Sequence, residues 1–121
     1  MFKFLGSAIL ATLVISVAPA VYAHAFPDNS SPHVGATLSA VPATVKVWFN
    51  GDITPVFSTL IVKNSAGKQV SQGKGEVAAS NHTLLETALP AKLPAGKYEV
   101  YWSVIARDGH HTAGHFPFTV K

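Results

Sequence analysis

Two runs near the end of the chain constrain it most. Tyr98, Val100, Trp102 and Val104 occupy every second position, and Phe116, Phe118 and Val120 repeat the pattern. Successive residues of an extended backbone leave on opposite faces, so this period buries one face of a β-strand and exposes the other. No stretch between residues 24 and 121 keeps a helical period for three turns. Val45, Val47 and Phe49 alternate with Lys46 and Trp48, and Leu60 and Val62 lead into Asn64-Ser65-Ala66-Gly67, after which residues 68–71 return as a hairpin. Residues 74–81 are polar and contain glycine, which predicts a loop. Residues 82–89 follow as a strand with Leu85 and Leu89 on one side and Leu84 on the other, and Leu93-Pro94-Ala95-Gly96 is the next turn. With an N-terminal strand near residues 24–26, the pattern gives about seven strands and an all-β, immunoglobulin-like sandwich.

The first 23 residues are of another kind. One early lysine, an apolar run from Phe4 to Ala18, then Pro19 and Val21-Tyr22-Ala23 read as a secretory signal cleaved after Ala23. The run is shorter than the ~20 residues of a spanning helix, so the mature protein is expected outside the membrane, with His24 as its amino terminus. There is no cysteine, so the exported domain, residues 24–121, holds together by burial alone. It is too short for a doubly wound nucleotide-binding fold or an α/β barrel. Nine Lys and Arg stand against six Asp and Glu, a formal charge of +3, and the basic residues are scattered singly. No nucleic-acid partner is expected, and the domain is expected to be a monomer.

Histidine is the unusual entry: all six lie beyond the leader, at 24, 33, 82, 110, 111 and 115. A free N-terminal histidine can bind one metal twice, through its α-amine and its Nδ1. Asp108 and His110 stand two apart, and an extended backbone would put them on one face with Cα atoms roughly 6.5 Å apart, while Gly109 lets the chain bend between them. One amine, two imidazoles and a carboxylate suit tetragonal Cu(II). Beyond Met1 there is no methionine, and so no sulfur ligand for a dedicated Cu(I) site. The competing reading of Asp108-Gly109-His110 is a polar turn, since Asp-Gly is a common turn pair. By alternation His115 faces solvent and His111 faces away from His110; His33 and His82 read as surface residues.

Several of these features together resemble the CopC family of periplasmic copper-binding proteins. They are His24-Ala25 after the signal, Ser31-Pro32, Pro42 followed by Val45-Lys46-Val47-Trp48-Phe49, the strand Gly96-Lys97-Tyr98-Glu99-Val100-Tyr101-Trp102, and Asp108-Gly109-His110 with Gly114, Phe118 and Val120 after it. The resemblance implies a Greek-key β-sandwich that binds one Cu(II) per chain through the amine and imidazole of His24, Asp108 and His110. It implies copper handling in the periplasm as a carrier or buffer, with a CopD-like inner-membrane protein as partner. The methionine-rich Cu(I) loop of some members is missing, which points to a Cu(II)-only variant. Two other readings compete: a histidine-brace copper oxidase or monooxygenase, and a metal-free interaction module. An in-plane Asp108 would fill the position that oxygen activation needs, so no enzymatic activity is expected.

Overall fold

A computed structural model describes residues 25–121. The leader and His24 lie outside the described residues. Eight strands form two sheets: β1 (Pro27–Ser31), β2 (Thr37–Leu38), β3 (Thr44–Phe49), β4 (Thr59–Asn64), β5 (Glu76–Ala78), β6 (Asn81–Ala88), β7 (Gly96–Ile105) and β8 (His111–Val120). One sheet has the order β1-β3-β6-β5 and the other β2-β8-β7-β4. Only the β5–β6 and β7–β8 links stay within a sheet; every other connection crosses the sandwich.

The alternation places the core where the sequence expects it. Val45, Val47 and Phe49 of β3, Leu85 of β6, Val100, Trp102 and Val104 of β7, and Phe116, Phe118 and Val120 of β8 are all buried between the sheets. Leu60, Leu85 and Phe118 are completely buried, each worth about 1.5–3 kcal/mol relative to an exposed side chain. Phe49 meets Trp102 edge to face, with centroids 5.4 Å apart, and Tyr98 stacks on Phe118 at 5.5 Å. The Tyr98 hydroxyl donates to the carbonyl of Pro94 and so ties the turn before β7 to the core.

Local expectations fail where pairing, not alternation, makes the strand. The N-terminal strand begins at Pro27 and carries the polar sequence PDNSS, because β1 is an edge strand that needs only the β3 ladder. Within the expected loop 74–81, residues 76–78 form β5 against β6. Residues 68–71 do return along β4, through a Lys63–Gln69 bridge, Val70 and Ser71 N–H groups donated to the Val62 carbonyl, and a Val62 N–H donated to the Ser71 hydroxyl, without forming a named strand. The two residues of β2 run parallel to the end of β8.

Two positions on β8 matter below. Gly114 sits opposite Trp102, and a Cβ there would lie 2.6 Å from the indole, so the glycine admits the ring. Pro117 lies opposite Glu99 of β7, while its carbonyl accepts from Gly35 on the other side. N and C=O of one strand residue point the same way, so the missing N–H faces outward and costs the β7 ladder nothing.

Candidate metal centre

The β7–β8 hairpin, the longest among the described residues, turns at Ala106-Arg107-Asp108-Gly109-His110. The Gly109 N–H donates to the Ala106 carbonyl, the Ala106 N–H donates to the His110 carbonyl, both at 2.9 Å, and Gly109 has φ of 89°. This is a turn closed by a glycine in the left-handed region, which a side chain would strain. The extended backbone that would align Asp108 with His110 is therefore replaced by a bend at Gly109, and the bend brings the two side chains together more closely than extension would.

Asp108 Oδ1 accepts from the His110 backbone N–H at 3.0 Å, and Oδ2 lies 2.6 Å from His110 Nδ1. A carboxylate only accepts, so the proton of this contact sits on Nδ1, and the lone pair of the neutral ring is on Nε2. A carboxylate oxygen has two lone pairs, so accepting from His110 does not by itself remove Asp108 as a donor to an ion. About 61% of the His110 side chain and 27% of the Asp108 side chain are exposed. Arg107 turns away to pair with Asp52 at 3.1 Å on the chain from β3 to β4, where Ile53 bridges Ala106.

Two residues past His110, the Thr112 hydroxyl donates to the Ala25 carbonyl at 2.7 Å, and Ala25 is fully buried. Phe26 and Asn50 exchange two further bonds, from the Phe26 N–H to the Asn50 side chain and from the Asn50 N–H to the Phe26 carbonyl, both 2.9 Å. The first described residues are thus fastened beside the Asp108–His110 turn. The Thr112 tether joins residues 87 positions apart, so sequence reasoning has no local signal for it.

Of the expected ligands, Asp108 and His110 are brought together and His24 lies outside the described residues. Among the described residues, no three His, Cys, Asp or Glu side chains form a group that could hold a metal ion. His111 faces the other side of β8, with Nε2 2.6 Å from Ser103 Oγ. His115, also on the outer face, has Nδ1 2.6 Å from Glu99 Oε1 and stacks on Tyr101. His33 borders a depression with Asp28 and Phe116, and the His82 carbonyl accepts from Ile53. No helix among the described residues is long and apolar enough to cross a membrane.

The arrangement defines a class: a small all-β sandwich that holds a carboxylate-oriented imidazole next to the entry of its own chain. The chain belongs to the CopC family, whose domain model matches residues 28–121. It is 31% identical to the copper transport protein CutJ of Bacillus subtilis over 93% of its length, but spans only 21% of CutJ. With copper resistance protein C of Escherichia coli it shares 30% identity, covering 90% of each chain. The crystal structure of CopC from Methylosinus trichosporium superposes with a TM-score of 0.75 at 32% identity, covering 81% of this chain and 94% of that one. The β-sandwich expected from alternation is thus also the fold of a solved family member.

Proposed function

We propose that the protein is a periplasmic copper(II) carrier or buffer, without catalytic activity, that takes one cupric ion per chain as cargo. Residues 1–23 are the export signal. Their removal frees the α-amine of His24, which with its own Nδ1, a carboxylate oxygen of Asp108 and Nε2 of His110 would hold the ion. The observation that carries this reading is the fastening of Ala25 to Thr112, two residues from an imidazole whose tautomer is fixed by Asp108. One peptide bond separates position 24 from that tether. The donor set is rich in nitrogen and free of sulfur, which favours Cu(II) over Cu(I). The copper-transport and copper-resistance names of its relatives agree. A CopD-like inner-membrane protein is the proposed recipient.

Such ligands bind only when deprotonated. Protons compete with the ion for the imidazole nitrogens and the α-amine, so affinity falls as pH falls. Intact mass spectrometry of the secreted protein, with and without one equivalent of Cu(II), checks the terminus and the stoichiometry together; the expected species begins at His24 and gains one ion. A variant with one glycine ahead of His24 is expected to lose more than the roughly 10–100-fold that an outer-shell change costs. Equal retention of Cu(II) by that variant would overturn the reading.

A further inference from the structure

The outer face of the β4-β7-β8 sheet repeats the chemistry of the turn at a place the first reading does not use. His115 on β8 lies opposite Tyr101 on β7, and its Nδ1 is 2.6 Å from the Glu99 carboxylate. As at His110, the carboxylate can only accept, so Nδ1 carries the proton and the lone pair of the neutral ring lies on Nε2. The ring is held from a second side by Tyr101, whose centroid is 5.4 Å away at 28°. Even so, 63% of the His115 side chain is exposed. A shallow depression of about 450 Å³, lined by Ile61, Tyr101, Ser103 and Ala113, opens beside it. An imidazole oriented by a carboxylate and presented to solvent is the usual arrangement of a metal-binding histidine, with the outer partner fixing the tautomer and raising ring basicity.

We propose that His115, oriented by Glu99, is a second, peripheral site for a borderline divalent transition metal such as Cu(II), Ni(II) or Zn(II). The ion binds Nε2 of His115 and completes its shell with water in the adjoining depression. Lys63 sets the selectivity: its ammonium lies 5.0 Å from the Tyr101 ring centroid on this same face, and Lys63 pairs with Glu99 across the β4–β7 ladder. A positive charge there disfavours hard cations drawn by charge alone, such as Ca²⁺ or Mg²⁺, and leaves metals that form strong bonds to imidazole nitrogen. His111 does not join the site. It lies four residues along the strand, about 13 Å away, with its Nε2 engaged by Ser103. With one protein nitrogen, the peripheral site is the weaker of the two.

The test titrates the mature protein with Cu(II), and separately with Zn(II), in a non-coordinating buffer, read by calorimetry and, for copper, by electron paramagnetic resonance. The expected result is a second, weaker equivalent with a one-nitrogen signature. It disappears in His115→Ala, persists in His110→Ala, and weakens about tenfold in Glu99→Gln, which keeps an acceptor for Nδ1 but removes the charge. An exposed His115 can be truncated without opening the core, and Glu99→Gln reports independently should it not. Absence of a second equivalent, or one that survives His115→Ala, overturns the proposal. The site stands on β4, β7 and β8 alone, so its outcome is separate from that of the glycine-extended variant.

Discussion

The molecule carries two carboxylate–imidazole pairs of nearly equal chemistry on one hairpin. Asp108–His110 and Glu99–His115 share the same 2.6 Å contact through Nδ1 and nearly the same side-chain exposure, 61% and 27% against 63% and 31%. They differ in how the backbone brings them together and in what else it brings. The turn pair is local, two residues apart across a left-handed glycine, and stands where the start of the domain is tied down by Thr112. The sheet pair spans two strands, is braced by Tyr101, and has a lysine on its face. Under the proposals above, the number of further donors the fold delivers is what would separate a carrier site from a peripheral one.

That contrast can be broken most severely at His110. His110→Ala removes a direct donor, so tight Cu(II) binding should fall by more than the roughly 10–100-fold of an outer-shell loss, while His115→Ala should leave it unchanged; competition with a chelator of known affinity measures both. If the two substitutions weakened tight binding equally, the ranking of the pairs would be wrong. Gly114→Val strikes the sheet pair's own strand from the core side. A branched side chain meeting the Trp102 indole should cost about 1–3 kcal/mol of overpacking, read as a lower denaturation midpoint. The effect on copper should be small, because the Asp108–His110 turn does not depend on that contact. Thr112→Val tests the tether with the smallest change. Losing one hydrogen bond should cost about 1 kcal/mol of stability, and tight copper affinity should drop severalfold while the weaker equivalent stays unchanged.

What could be read from residues alone follows from what is local. The buried faces of β3, β6, β7 and β8 were legible because alternation reports burial directly, and the Asp108-Gly109-His110 turn because Asp-Gly names its own geometry. Residues 76–78 and Thr37–Leu38 were not. β5 and β2 have no amphipathic signature and are strands only because β6 and β8 offer them backbone partners. The Glu99–His115 pair escaped for a related reason. Alternation points His115 outward, but which carboxylate it meets depends on the β7–β8 register, 16 residues apart in the chain. The Thr112 tether to Ala25 is more distant still, and His24 itself lies outside the described residues.

Pro117 has a consequence beyond its own strand. β8 is one of the two longest described strands, and the segment from Gly35 to Leu38 bonds to its far margin from Pro117 onward. An uncovered margin of that length would be a template on which another chain could add itself. By setting a ring where a donor would otherwise point outward, Pro117 ends that template where the covered stretch begins, so an added strand would find no ladder to follow past residue 116.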